Sequence, residues 1–317
     1  MRQLRVVLLV GGVILFALLV AGNDPAAIGA SIWRLSWRLL VVLIFPIVLV
    51  TVFDTLGWRF AFSRDRVRFR TLLGARLAGE AFNLTTPTAA LGGEAVKAWL
   101  LRGHVRLDES LPAIIIAKTT ITIAQGLFLG LGVVLAARST LAESPILLGM
   151  LWLLVVEIVA LAGFVVAQTR GILGWSTRLL DRLGRRWLPA TDTFTRADHV
   201  LAEFYRDEPG RLLLSIAFHL VAWLLGSIET YLILHFLGIE VSLATATVIE
   251  AFGAAVRFAT FLIPASLGAL EGGYVATFVV LGLAPTAGIS FGLVRRLREA
   301  AWVGVGLIAL AVMRRGS

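Results

Sequence analysis

The sequence predicts an all-α polytopic membrane protein with about eight transmembrane helices, one or two of them broken or re-entrant, and a possible inverted repeat. Of its 317 residues, 58% are hydrophobic and 15% are charged. Several apolar runs are long enough to cross a ~30 Å hydrocarbon core as helices. Basic residues cluster beside these runs, and two polar segments interrupt the apolar pattern with proline and glycine. We therefore expect one membrane domain over residues 1–317.

Composition and missing motifs exclude several functions. The net charge of +9 does not indicate a nucleic-acid partner, because the positive-inside rule already accounts for arginines beside apolar spans. The chain has no cysteine, which excludes disulfides, thiolate ligands and cysteine nucleophiles. Metalloprotease, serine-hydrolase and Walker motifs are also missing. We expect no metal, no cofactor and no enzyme activity, with a membrane-embedded lipid transferase as the least favoured function.

The first two spans set the orientation. Val6 to Ala21 is expected to be the first span with its N-terminus inside; a signal peptide is the alternative, but no clear A-x-A site follows. The second span is expected from about Leu39 to Gly57. A dense group of arginines from Arg59 to Arg76 follows it and places this loop in the cytoplasm.

A re-entrant segment is expected at about 76–106. Its sequence, RLAGEAFNLTTPTAALGGEAVKAWLL, mixes polar residues with the helix breakers Pro87, Gly92 and Gly93. Because both flanks are basic, we expect the segment to enter and leave by the cytoplasmic face. Non-helical backbone at membrane depth needs protein or a water-filled cavity around it, so the segment predicts a polar pocket.

A second broken segment is expected at about 264–283, where Pro264 and Gly268 interrupt the pattern; it either crosses the membrane or doubles back. Both broken segments contain a Glu-Ala-Phe triplet, a proline and a glutamate seven residues after the proline: Glu80, Pro87 and Glu94, then Glu250, Pro264 and Glu271. Paired broken segments mark the substrate site in secondary transporters. Coincidence in a chain rich in alanine, glycine and leucine is the alternative to a repeat.

The remaining spans are expected at about Leu111–Ala137, Pro145–Gln168, Leu212–Leu237, Leu243–Leu262 and Thr286–Met313. The last is predicted as one long helix, because splitting it at its arginines leaves only about 14 apolar residues, fewer than the ~17 that a span needs. The polar loop at about 169–211 predicts two amphipathic cytoplasmic helices. Eight crossings place both termini in the cytoplasm.

Ionisable residues inside spans are candidates for function, with simple pairing as the structural alternative. The candidates for substrate binding are Asn83, Glu94, Lys97, Lys118, Gln125, Arg257, Glu271, Arg295 and Arg296. The candidates for proton coupling are Glu157, Glu229 and Glu250. Arginine binds phosphate bidentately, so the basic members favour an anionic headgroup.

Local spacing gives three more expectations. Glu94 with Lys97 and Arg295 with Glu299 are spaced for structural pairs within one helix. Lys118, Thr122 and Gln125 fall on one helix face, which we expect to look into the bundle. Glu94, Lys97, Glu271, Arg296 and Lys118 are expected to converge on one cavity where the two broken segments meet.

The segments NLTTPTAALGGEAVKAWLLRG and PASLGALEGG, with RRLREAAWVGVGL after them, resemble the transmembrane region of the lysylphosphatidylglycerol synthase family of flippase-like membrane proteins. The matching residues are Asn83, Pro87, Gly92, Gly93, Glu94, Lys97, Pro264, Gly268, Glu271, Arg295, Arg296 and Glu299. The resemblance implies an integral protein of the bacterial inner membrane that moves or accommodates lipids. The stretch from Lys118 to Gln125 faintly resembles the hopanoid-associated type.

On this resemblance the expected function is a lipid translocase or lipid-transport component. Its partner would be an anionic or polar-headgroup lipid, or a hopanoid-type lipid. The alternative is a transmembrane scaffold or accessory subunit of a lipid-biosynthetic complex, with biosynthetic enzymes as partners. Because the chain ends at Ser317 without a synthase domain, aminoacyl transfer is not expected.

Overall fold

A computed structural model of the chain describes residues 35–64, 67–86, 91–139, 141–170 and 191–315, with scattered positions between 13 and 33. Regular structure in this part is helical throughout. The helices are α1 (Arg38–Phe60), α2 (Phe69–Thr85), α3 (Leu91–Leu101), α4 (Leu107–Ala137), α5 (Pro145–Thr169), α6 (Thr191–Asp207), α7 (Pro209–Phe236), α8 (Leu243–Ala259), α9 (Ala269–Val280) and α10 (Pro285–Arg315). Three predicted features fall partly or wholly outside the described residues: the span Val6–Ala21, the break at Pro87 and the amphipathic helix near 176–188.

The all-α, polytopic membrane class is confirmed. Four described helices, α1, α4, α5 and α7, are long and apolar enough to cross a membrane. Helix α8 has 17 residues and falls just below the usual length, while α10 carries charges inside its 31 residues. The total of eight crossings stays a prediction.

Several predicted boundaries agree closely with the observed helices. Helix α5 begins at Pro145 as expected, because the Ser144 hydroxyl accepts a hydrogen bond from Leu147 N at 3.3 Å and the proline needs no partner for a backbone N–H. The single long helix predicted near the C-terminus is also present, as α10. Helix α8 ends at Ala259, three residues before the expected Leu262, where the chain turns into the second broken segment.

Helices α2 and α3 form a helical hairpin. They cross where Gly79 and Gly93 meet: a Cβ built on Gly93 would lie 2.1 Å from the Gly79 carbonyl oxygen. Leu72 near the start of α2 and Leu101 at the end of α3 share one buried cluster with Trp58 of α1. The chain therefore doubles back over this stretch, as the re-entrant prediction requires. Helix α2 then packs along α10.

The second broken segment is a short 3-10 turn, Pro264–Ser266, followed by α9. Ala265 and Ser266 have φ values of 50° and 51°, a left-handed conformation that costs a residue with a side chain roughly 1–2 kcal/mol. Helix α9 has 12 residues, about 18 Å, and is too short to cross the core by itself. The 3-10 turn touches α2, so the two broken segments meet.

Helix α6 is the second amphipathic helix predicted in the polar loop. Its apolar face, with Leu201 and Phe204, is buried. Arg196 Nε donates to Asp108 Oδ2 at 3.0 Å, and the Tyr205 hydroxyl donates to Gln168 Oε1 at 2.7 Å. Burial raises the pKa of Tyr205, so this hydroxyl stays a donor. The contacts fix α6 across the start of α4 and the end of α5.

Candidate functional site

A group of ionisable side chains lies beside the hairpin, and we call it the hairpin cluster. Five helices, α1, α2, α3, α4 and α7, contribute its members: Asp54, Arg76, Glu94, Lys97, Lys118 and His219. Arg76 Nη2 lies 2.6 Å from Asp54 Oδ2, and His219 Nδ1 lies 2.8 Å from Asp54 Oδ1. The imidazole rests on Gly57, where a Cβ would come within 2.6 Å of His219 Nε2. One carboxylate thus holds α1, α2 and α7 together.

The other half of the hairpin cluster is centred on Glu94. Lys97 Nζ lies 3.0 Å from each Glu94 oxygen, so the predicted local pair is present. Lys118 Nζ lies 3.7 Å from the same carboxylate. Lys97 is 7% exposed and sits 5.6 Å above the Trp58 ring, whereas 52% of the Lys118 side chain is exposed. Lys97 and Lys118 thus share Glu94, and the exposed Glu80 of α2 is a further carboxylate that acts on Lys97 at longer range.

Asn83 joins the two arms of the hairpin. Its Oδ1 accepts a hydrogen bond from Gly93 N at 2.7 Å, which satisfies a donor in the first turn of α3. Glu94 follows directly in that turn, where the positive end of the helix dipole favours a carboxylate. The contact of Asn83 therefore helps to position Glu94 at the start of α3.

A second group surrounds the charged middle of α10, and we call it the arginine network. It pairs four arginines with four glutamates: Arg257, Arg295, Arg296 and Arg298 with Glu229, Glu250, Glu271 and Glu299. Arg295 binds both oxygens of Glu250, with Nη2 3.1 Å from Oε1. Arg298 Nη1 donates to Glu229 Oε2 at 2.9 Å. These two pairs tie α10 to α8 and α7.

Arg296 connects α10 to the second broken segment. It donates to Glu271 Oε1 at 2.7 Å, to the Ala265 carbonyl at 2.8 Å and to Glu299 Oε2 at 2.9 Å. Glu271 Oε2 accepts from Gly268 N at 2.7 Å and so caps α9. Because Arg296 holds the strained turn and its capping glutamate together, its contacts account for the break at Gly268.

The predicted pair of Arg295 and Glu299 is wrong. Glu299 pairs with Arg296 and Arg257 instead, because Arg295 faces Glu250 on α8.

The inward face of α4 has a different register from the predicted one. Around Lys118 the buried polar residues are Thr119 and Thr120, which bond Gln168 and Ser215 respectively, whereas Lys118 is half exposed. Thr122 bonds only its own helix, at the Lys118 carbonyl. Gln125 Nε2 donates to the Ala254 carbonyl at 3.4 Å and belongs to neither charged group.

The residues expected in one cavity therefore lie in two groups. Glu94, Lys97 and Lys118 are together, and Glu271 and Arg296 are together in the arginine network. Within the described residues, no hydrogen bond or ion pair joins the two groups. Helix α2 lies between them, since it contributes Arg76 to the hairpin cluster and packs against α10 and the 3-10 turn.

The sequence analysis did not place Asp54 or His219 in a site, although both belong to the hairpin cluster. A lone aspartate inside an apolar run was the available signal, because a charge at membrane depth is costly unless it has a partner. The proton-coupling candidates divide as well: Glu229 and Glu250 bind arginines, whereas Glu157 binds none among the described residues. The described residues contain no group of three or more acidic or histidine side chains arranged to hold a metal.

The fold and these charged groups define a polytopic α-helical membrane protein with a polar interior at a broken hairpin. The family described as lysylphosphatidylglycerol synthase TM region matches residues 3–307, so the chain belongs to this family. It is also similar to a UPF0104 membrane protein of Methanothermobacter thermautotrophicus. The two sequences are 27% identical over an alignment that covers 94% of this chain and 91% of that protein. No solved structure matches the chain.

Proposed function

We propose that this protein is a flippase-like lipid translocase, or a lipid-transport component, that moves a lipid with an anionic headgroup within the cytoplasmic membrane. The observation that carries the proposal is the pair of ammonium groups at the hairpin, Lys97 and Lys118, which share Glu94. Ammonium groups form strong charge-assisted hydrogen bonds with phosphate. Membership of a family named for a lipid synthase supports a lipid-related role.

The geometry suggests a different role for each lysine. Lys118 is half exposed, and its Cα lies 11 residues, about 16 Å, from the start of α4. An entering phosphate would meet this ammonium group first. Lys97 is buried behind it and held by Glu94 and Trp58, so it supplies a fixed positive field. Glu94 would hold both cations until the phosphate competes for Lys118.

The test uses purified protein in liposomes that contain a fluorescent phosphatidylglycerol in one leaflet. Wild type should speed its movement to the other leaflet. Lys118→Met should slow this movement about tenfold or more, the loss expected for one charge-assisted hydrogen bond. Arg138→Met removes an exposed cation from the far end of the same helix and should leave the rate unchanged. Wild-type rates in Lys118→Met would rule out its role.

A second candidate function is favoured by the arginine network, in which each arginine has a glutamate partner. Paired charges can lock helices without contacting a substrate, as expected of a transmembrane scaffold for a lipid-biosynthetic complex. The same liposomes separate the two functions. A translocase moves the fluorescent lipid without a partner, whereas a scaffold leaves it in its original leaflet.

A further inference from the structure

Glu157 lies in the middle of α5 and has no visible partner. Helix α5 turns most of its surface outward; its buried residues are Ile146, Met150, Glu157 and Gln168. Gln168 is bonded to Thr119 and Tyr205. Glu157 is 1% exposed, and neither carboxylate oxygen has a hydrogen-bond partner in the described part of the chain. It is thus a buried acid in a setting that offers it no compensation.

Helix α4 approaches Glu157 through a glycine. A Cβ on Gly126 would lie 3.9 Å from Glu157 Cδ, so this glycine covers the carboxyl group without donating to it. The charged residues of α4 lie elsewhere along the helix. Lys118 is eight residues away, about 12 Å, and contacts Glu94. Asp108 and Glu109 are at the start of α4, more than 25 Å from Gly126 along its axis.

The other described helices packed on α5 are α6, which bonds it far along the axis from Glu157, and α8, whose charged groups bind α10. Helix α6 bonds α5 through Tyr205 and Gln168, which is 11 residues, about 16 Å, from Glu157. On α8, Glu250 and Arg257 bind Arg295 and Glu299 of α10. Among the described residues, no cation compensates a charge on Glu157.

Two costs follow from this arrangement. A charged side chain at membrane depth costs at least ~2.5 kcal/mol, so the enclosed group is favoured as the neutral acid. Even the neutral acid loses about 1–3 kcal/mol when its hydrogen bonds are not made. A leucine would fill the same space without either cost. The arrangement is explained if a second conformation gives Glu157 access to water, where it exchanges a proton.

We propose that Glu157 is the coupling site, which takes up a proton on one side of the membrane and releases it on the other as the lipid moves. This inference rests on the function proposed above. In each cycle the carboxylate accepts one proton from water, is enclosed as the acid, and returns the proton to water after the site reopens. Glu229 and Glu250 suit this role less, since protonating either would leave a buried arginine without its partner. Glu271 is already held by Arg296 and by the backbone N–H of Gly268.

The test applies a pH difference across the liposomes with the membrane potential held at zero. Coupling of one proton to one lipid shifts the leaflet ratio of fluorescent phosphatidylglycerol about tenfold per pH unit. Glu157→Gln cannot exchange a proton and should lose this accumulation. Glu157→Asp, which keeps the acid, should retain it. Glu143→Gln, at an exposed acid just before α5, is the matched control and should behave as wild type.

The outcomes separate the two proposals. A wild type that moves no lipid without a gradient contradicts the translocase function itself. A wild type that moves lipid but ignores the pH difference, or responds only to sodium, overturns proton coupling alone. Accumulation that persists in Glu157→Gln, or that is lost equally in Glu157→Asp, removes Glu157 from the role.

A readout independent of transport is the pH-difference infrared spectrum of the wild type. The protonated carboxyl band should appear as the pH is lowered and should shift in frequency in Glu157→Asp. Identical carboxyl bands in the wild type and in Glu157→Asp would also overturn the assignment. This readout does not need Glu157→Gln, so it stays decisive if that variant does not fold.

Discussion

At the scale of single residues, Glu94 is the member of the hairpin cluster whose loss should be most damaging. Glu94→Gln leaves the buried ammonium group of Lys97 without its ion-pair partner, and breaking a buried ion pair in this way costs about 3–5 kcal/mol. Lys97→Met should cost less, because Glu94 keeps Lys118 at 3.7 Å. Thermal unfolding of the two purified variants should give this order.

The double variant of Glu94→Gln and Lys97→Met distinguishes a binding site from a structural pair. It removes both buried charges, so stability should return towards wild type. Lipid movement should stay low, because the fixed charge of Lys97 is gone and Lys118 no longer has Glu94 to hold it. If stability and transport recover together, the pair is structural and the proposed site is wrong.

Contacts between individual side chains were harder to predict from the sequence than any other feature of the structure. The pair of Glu94 and Lys97 could be predicted because three residues along one helix bring their side chains together. The bonds from Asp54 to Arg76 and His219 could not, since the partners are 22 and 165 residues away and meet only after α1, α2 and α7 pack. The same applies to Arg295, where tertiary packing on α8 replaces the expected partner in its own helix.

At the scale of elements, the close crossing of α2 and α3 should depend on glycine. A Cβ on Gly93 would lie 2.1 Å from a backbone oxygen, which cannot move aside as a side chain could. Gly93→Ala should therefore cost about 1–3 kcal/mol or more. Gly130→Ala is the matched control: this glycine is also helical and a Cβ there meets nothing within 4 Å. Thermal unfolding that leaves Gly93→Ala as stable as Gly130→Ala would contradict the hairpin crossing.

Elements were predictable from the sequence because their signals are local. The lengths of the apolar runs predicted the first and last residues of α1, α4, α5 and α7 to within about four residues. Proline and glycine predicted the break at Pro264 and Gly268, whereas the break at Pro87 stays a prediction. Which helix packs against each broken segment depends on tertiary structure, and the spacing of Glu94 and Glu271 from their prolines does not encode it. The meeting of α2 with the 3-10 turn could therefore be expected only on the hypothesis of a repeat.

At the scale of the whole molecule, α2 links the two charged groups. It carries Arg76 into the hairpin cluster, and its other side packs on α10 beside the arginine network; a Cβ on Gly306 would lie 2.3 Å from the Leu77 carbonyl oxygen. A rigid-body shift of the hairpin would thus press directly on the helix that holds Arg295 to Arg298. We expect the paired network to act as the fixed frame against which the hairpin moves.

The length of α4 and the positions of the arginines predict which side of the membrane each loop faces. Helix α4 runs from Leu107 to Ala137, about 46 Å, which is long enough to cross the core. Reporter fusions after Arg106 and after Arg138 should therefore report opposite sides, with Arg106 in the cytoplasm because arginines flank the hairpin on both sides.

A third fusion in the loop at about 169–211 should report the same side as Arg106, since α6 packs against the start of α4 through Arg196 and Asp108. A fusion at Met313 tests the expected cytoplasmic C-terminus in the same series. If the fusions after Arg106 and Arg138 report the same side, α4 does not cross. If the loop instead faces the side of Arg138, α5 does not return the chain, and the cytoplasmic placement of α6 is wrong.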